Sequence, residues 1–463
     1  MVLLKSSSSS LVFKVKRKKT ELVAPASPTP HEIKLLSNLD EQEGLRCHLP
    51  LVQFFPYNPL ITAWDDIIHF FKEALSKALV FYYPFAGRIR EGAKGKLMVD
   101  CTGEGVLFTQ AEADVTLDQF GSDLMPPFPC FDELLYNVPG SDQIINAPLL
   151  IIQVTRLKCG GFILATRMNH TMCDVIGLEQ FTKALIEIAF GAEKPSIMPV
   201  WCRELLCERD PPRVTCIHHE YDQLPLDNKS VFKPYHSSFF FGPKEIDALR
   251  RRLPSHLAES STTFDVLTAC LWRCRTAALQ WENLNQEVRL LSIVNARLGA
   301  SRFNPPLPKG FYGNAIVFPA AVSTVGKICG SPLSYALELV KKAKSEASEE
   351  YFHSVVDLLA INGRACFTRT GSFVVSDLSR TGFRDADYGW GKPLYSGLAK
   401  AGFGDILGVS FYVPHTNSKG EHGTVVPICL PEEAMVRFEE ELNEILNFKD
   451  EKEEYVTVLR SNM

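Results

Sequence analysis

The chain has 463 residues, 46% hydrophobic and 22% charged, with a formal net charge of -5 at pH 7. This balance suits a globular protein of roughly two to four domains and gives no reason to expect a nucleic-acid partner. No apolar run approaches the roughly 18 residues that cross a bilayer, which argues against a membrane protein as well.

Residues 1–10 carry a serine run without the apolar core of a signal peptide and read as a disordered leader. Residues 11–15 read as a first edge strand, protected by the solvated basic run Lys14 to Lys19 (KVKRKK). Residues 65–80 predict an amphipathic helix with Ile68, Phe71, Leu75 and Leu79 inward. Residues 147–154 (APLLIIQV) and 162–165 (FILA) predict the buried strands of a hairpin around Lys158-Cys159-Gly160-Gly161. A helix follows at 175–190, with Leu178, Phe181, Leu185 and Ile188 at helical spacing and Gly191 as its stop.

Residues 195–233 are rich in Pro, Arg, Asp and His without sustained periodicity, which marks a long crossover. Beyond it, helices are expected at 243–253, 263–279 with Thr263 as cap, 333–347 and 432–446, and strands at 288–294 and 373–376. Thirteen scattered cysteines, odd in number and without zinc spacing, point to a reducing compartment. His218-His219-Glu220 lacks companions at ligand spacing, so no metal is expected. The final Ser461-Asn462-Met463 loosely resembles the peroxisomal Ser-Lys-Leu address, which leaves cytosol or peroxisome as the expected compartment.

Two segments carry chemistry. Asn169-His170-Thr171-Met172-Cys173-Asp174 places a histidine where an apolar strand ends and a helix begins, a junction that can hold a general base in a fixed pose. Two plainer readings stand beside it: His170 as a satisfied core residue, and Asp174 as the N-cap of the following helix. Cys173 reads as a small buried hydrophobe rather than a nucleophile. Far downstream, Asp387-Tyr388-Gly389-Trp390-Gly391 brackets a large ring between glycines, which implies a tight turn.

Together these segments resemble the HxxxD and DFGWG signatures of the plant BAHD acyl-CoA-dependent acyltransferases, with Tyr388 where the family usually has Phe. Residues 36–46 (LSNLDEQEGLR), 83–88 (YPFAGR), 99–105 (VDCTGEG), 263–276 (TFDVLTACLWRCRT), 294–297 (VNAR) and 310–315 (GFYGNA) extend the resemblance over nearly the whole chain. It is nearest the clade of benzyl alcohol O-benzoyltransferases and alcohol acyltransferases.

The resemblance implies an α/β fold of two chloramphenicol-acetyltransferase-like domains, 1–194 and 234–463, joined by the 195–233 crossover with a channel between them. It implies direct acyl transfer from an acyl-CoA co-substrate, benzoyl-CoA, to benzyl alcohol, with His170 as general base, in a monomer without a permanent cofactor. The alternatives are a broader alcohol acyltransferase using acetyl-CoA or other aliphatic donors and, more remotely, a non-catalytic CoA-binding protein. By the same resemblance Asp174 turns from the cavity toward Arg297, and Asp387, Gly389, Trp390 and Gly391 scaffold the CoA side of the channel. Ser261, Thr262, Tyr312, Ser376 and Asp377 become CoA contacts, and Phe54, Phe55, Tyr57, Phe411 and Tyr412 fall near the acceptor and acyl pockets.

Overall fold

The computed structural model describes residues 4–7, 11–59, 64–223, 233–297, 302–402 and 408–447. The expected leader lies partly, and the Ser461-Asn462-Met463 tail wholly, outside the described residues. Two seven-stranded mixed sheets organise them. The first is built on the central strands His48–Phe55, Phe162–Asn169, Leu150–Arg156 and Val106–Ala113, edged by Val15–Arg17. The second runs Lys5–Ser7, Pro234–Phe241, His422–Pro431, Val409–Thr416, Ser372–Asp377, Glu287–Ser292 and Ala320–Thr324.

Continuous apolar runs become strands buried on both faces, and here helices supply the cover. Trp64–Phe81 buries the expected Ile68, Phe71, Leu75 and Leu79, and Val175–Ala189 packs beside it through Leu178, Phe181, Leu185 and Ile188. On the second sheet Thr263–Ala278, Leu333–Glu346 and Glu432–Asn447 play the same part.

Several boundaries differ from the sequence reading. The first edge strand is Val15–Arg17 rather than 11–15, because the pairing partner Ala111–Ala113 meets the chain four residues later. The helix from Pro243 stops at Arg250, and Pro254 starts a separate short helix, Ser255–Ser260. Thr262, not Thr263, caps the next helix: its hydroxyl accepts from the Asp265 amide at 3.2 Å, and the Asp265 carboxylate reaches back to the Thr262 amide at 3.1 Å. This reciprocal pair satisfies two helix-end donors. The sequence reading missed helix Glu349–Asn362, capped by Ser348.

Two strands cross the expected 195–233 boundary. Lys5–Ser7 pairs with Ser237–Phe239 in the second sheet, and Tyr395–Gly397 pairs with Val52–Phe54 in the first. Each sheet therefore borrows an edge from the other end of the chain.

Candidate active site

His170 follows Asn169, the last residue of strand Phe162–Asn169, and five residues later Val175 opens a helix. The Asn169 side chain holds this turn by accepting from the Thr171 amide at 3.2 Å and hydroxyl at 2.8 Å. The His170 amide donates to the Cys47 carbonyl at 2.9 Å, which joins the turn to the start of strand His48–Phe55. His170 is buried except at a cavity of about 300 Å³ between the end of this hairpin and the face of the second sheet. Apolar side chains dominate that cavity, among them Leu45, Leu49, Ile316, Phe318, Phe367 and Phe411.

Burial pushes the His170 imidazole below its ordinary value of 6.5, against a hydrogen bond to its own backbone, the Asp174 charge and the Asn314 side chain. Taking a cation out of water is costly, so the neutral form is favoured. A neutral imidazole is the form that accepts a proton.

Asp174 is both cap and tie. Oδ1 accepts from the Ile176 and Gly177 amides at 3.1 and 3.0 Å and from Arg297 Nη2 at 2.5 Å. Oδ2 accepts from Asn295 Nδ2 at 3.0 Å and the Ala315 amide at 3.2 Å. Five donors on one buried carboxylate lock the helix start to the segment that carries Arg297. Cys173 is fully buried against Met168, and burial pushes its thiol well above the ordinary range, so no thiolate nucleophile forms there.

Of the other residues singled out in the sequence, Thr262, Ser376, Asp377 and Phe411 line the cavity. Ser261 is buried next to Thr262 and its hydroxyl accepts from Lys341 Nζ at 3.3 Å. Tyr412 turns to the opposite face of its strand, where its hydroxyl meets Thr268 at 2.9 Å. Lys344, Arg302 and Arg380 also line the cavity and were missed in the sequence; lone surface-type cations carry no periodic signal.

Five expectations need correction. Tyr312 is no cavity residue: its ring sits among Tyr82, Phe85 and Trp201 at 5.3, 5.9 and 5.9 Å. Phe54 packs into a cluster with Phe120, Phe128 and Tyr395, roughly 16 Å along the strand from the cavity residue Leu49. Phe55 stacks on Phe162, and Tyr57 is 59% exposed beside the Gly160 turn. The Asp387 turn is a scaffold, but for the first sheet rather than the cavity. Asp387 accepts from the Gly389 and Gly391 amides at 2.8 and 2.9 Å, with both glycines at positive φ. That turn drives Trp390 against Phe71 and Phe162, at 5.9 and 5.0 Å. The Tyr388 hydroxyl donates to Gln53 Oε1 at 3.3 Å, so the extra polar group is satisfied.

A family model described as the transferase family matches residues 13–445. The chain is 59% identical over 457 residues to 13-hydroxylupanine O-tigloyltransferase of Lupinus albus, covering 98% of this chain and 99% of that protein. It is 58% identical over 444 residues to benzyl alcohol O-benzoyltransferase of Nicotiana tabacum, covering 95% of each, and 50% identical over 457 residues to an alcohol acyl transferase of Malus domestica, covering 97% and 98%. Among solved structures, vinorine synthase superposes with a TM-score of 0.72 at 21% identity, over 93% of this chain and 98% of that one. F. graminearum TRI101 in complex with coenzyme A and deoxynivalenol gives 0.66 at 16%, over 88% and 96%. These likenesses establish the two-domain acyltransferase fold, and the chain belongs to the BAHD acyl-CoA-dependent acyltransferases of the transferase family.

Proposed function

We propose that the protein transfers benzoyl from benzoyl-CoA to benzyl alcohol, as a monomer, with His170 as general base. The observation that carries the base assignment is the placement of His170 at the wall of an apolar cavity with its neutral form favoured. The substrate assignment leans on relatives named benzyl alcohol O-benzoyltransferase, at 58% and 57% identity. His170 removes the alcohol proton, the oxygen attacks the thioester carbonyl carbon, the C–S bond breaks, and the proton passes to the CoA sulfur. Holding both substrates together supplies the proximity, so no acyl-enzyme is required. Thr262, Ser376 and Asp377 offer polar contacts to CoA, and Lys344, Arg302 and Arg380 offer charge to its phosphates.

A second reading, transfer of an aliphatic acyl group, is favoured by the tigloyltransferase relative at 59% identity. One assay separates the two: kcat/KM for benzoyl-, tigloyl-, acetyl- and hexanoyl-CoA across several alcohols. A phenyl ring buries far more apolar area than a methyl group, at about 25 cal/mol per Å², so benzoyl-CoA should exceed acetyl-CoA. A clear preference for tigloyl-, acetyl- or hexanoyl-CoA overturns the benzoyl assignment and leaves the transfer mechanism standing. Residence in cytosol or peroxisome belongs to the same proposal, and a fluorescent fusion with and without the final Ser461-Asn462-Met463 distinguishes them.

A further inference from the structure

Outside the cavity lining, a second buried carboxylate organises the His170 turn. Asp40 is fully buried and accepts from five donors. The Ser37 amide and hydroxyl lie at 2.9 and 2.8 Å, the Asn314 amide and side-chain nitrogen both at 2.9 Å, and Arg203 Nη1 at 3.4 Å. Two of these donors reach onward to the catalytic turn. Asn314 Nδ2 donates to the His170 carbonyl at 2.8 Å, and Arg203 Nη2 donates to the Met172 carbonyl at 2.7 Å. Residues 170 and 172 lie between strand and helix, outside either ladder, so their buried carbonyls need donors from elsewhere. Glycine makes the approach possible: a Cβ at Gly313 would meet the Arg203 guanidinium at 1.1 Å, and one at Gly177 would meet the Tyr312 carbonyl at 2.0 Å.

We propose that Asp40, Asn314 and Arg203 are positioning residues for acyl transfer, a buried hub that fixes the backbone of the His170 turn and so the aim of the imidazole into the cavity. The inference rests on the reading of His170 as the base. Desolvation offsets much of the Coulomb gain of a buried ion pair, so such a pair is poor evidence of stability and better evidence of geometric specification. Here every onward bond lands on the carbonyls of the catalytic turn. A displacement of about 1 Å at a reacting group can cost ~10²-fold in rate, which sets the scale of what the hub protects.

A control exists within the same chain. Asp357 is also fully buried and accepts from the Arg209 amide and Nε and the Arg213 amide at 2.8, 2.5 and 3.0 Å, but neither it nor these partners line the cavity. Asn314→Leu and Asp40→Asn should each lower kcat by ~10–100-fold with KM for acyl-CoA held within about twofold. Asp357→Asn should lower Tm comparably while keeping kcat within about twofold.

The pH profile adds a readout that a merely structural role would not move. Burial lowers the imidazole's proton affinity and the Asn314 side chain counters it, so in Asn314→Leu the acid limb of kcat/KM should move to lower pH. Hub variants that lose Tm as Asp357→Asn does, yet keep kcat, overturn the proposal. If Asn314→Leu does not fold, the shape-preserving Asp40→Asn carries the test. His170→Ala, measured in parallel, separates the two failures: a retained rate in that variant overturns the base and the hub together. A lost rate there with kcat intact in both hub variants overturns the hub alone.

Discussion

His170 and His218 are both buried beside carboxylates, and the difference between them lies in what their neighbours leave open. His218 Nε2 is 2.7 Å from Ser354 Oγ and its Nδ1 is 3.3 Å from Glu220 Oε1, which is the order of nucleophile, base and orienter in a hydrolase. Yet Ser354 Oγ already accepts from the Thr215 and Cys216 amides at 3.0 and 2.9 Å. With both lone pairs occupied, its proton turns to His218 Nε2, and Nδ1–H then donates to Glu220. The Tyr351 hydroxyl also donates to Glu220, at 2.6 Å, and the whole cluster pins the crossover to helix Glu349–Asn362. His170 is anchored through its backbone amide and carbonyl, and its ring borders a cavity. Hydrogen-bond order alone therefore does not mark a base; access to a reacting atom does.

The comparison breaks most sharply at His170→Ala. That variant should lose ~10²–10⁴-fold in kcat with KM for acyl-CoA little changed, as read by steady-state kinetics. Near-normal turnover would end the base assignment. Next in size is Asp174→Asn, which leaves Arg297 facing a neutral partner and should cost ~3–5 kcal/mol in chemical denaturation. Arg297→Met in that background should add little more, whereas fully additive losses would show that the two do not act as a pair.

Ser354→Ala should cost ~1–3 kcal/mol through the two amides it orphans, and leave kcat unchanged. Activity lost beyond the loss of folded enzyme would reverse the comparison and make the His218 cluster catalytic. The smallest effect is in pH. Because burial depresses the His170 imidazole below 6.5, the acid limb of kcat/KM should lie below pH 6.5, and Asp174→Asn should move it lower still by removing a charge that favours the imidazolium. The sign for stability follows: the native state disfavours the proton, so this group's contribution is present above pH 6.5 and is lost as pH falls below that value. An acid limb at or above 6.5 would contradict the burial argument.

The helices with strong apolar periodicity were legible in the sequence because one buried face writes its own pattern. Trp64–Phe81 and Val175–Ala189 buried the residues expected of them. Helix Glu349–Asn362 had the pattern too, in Tyr351, Phe352, Val355, Val356 and Leu359, yet the expected helix ends at 347 and none is read directly beyond it. The strand-to-helix junction at His170 could be read from composition. The cavity wall could not, because His48–Phe55 is buried along most of its length and no alternation shows which end borders the cavity. Asp40 and Asn314 lie in segments that carry the family resemblance, yet their bond joins positions 274 apart, and no local signal announces such a partner.

The exchanged edges have a consequence for how the chain is made. Strand His48–Phe55 gains its outer neighbour, Tyr395–Gly397, only after about 340 further residues have been synthesised. At ribosomal speeds of about 5–20 residues per second this is a wait on the order of tens of seconds. Throughout that interval Val52 to Phe54 present an unpaired backbone edge flanked by apolar side chains, the kind of surface that recruits other nascent strands. The first sheet to be translated is thus completed only when the polypeptide is nearly finished, which leaves that edge open to wrong pairing for most of translation.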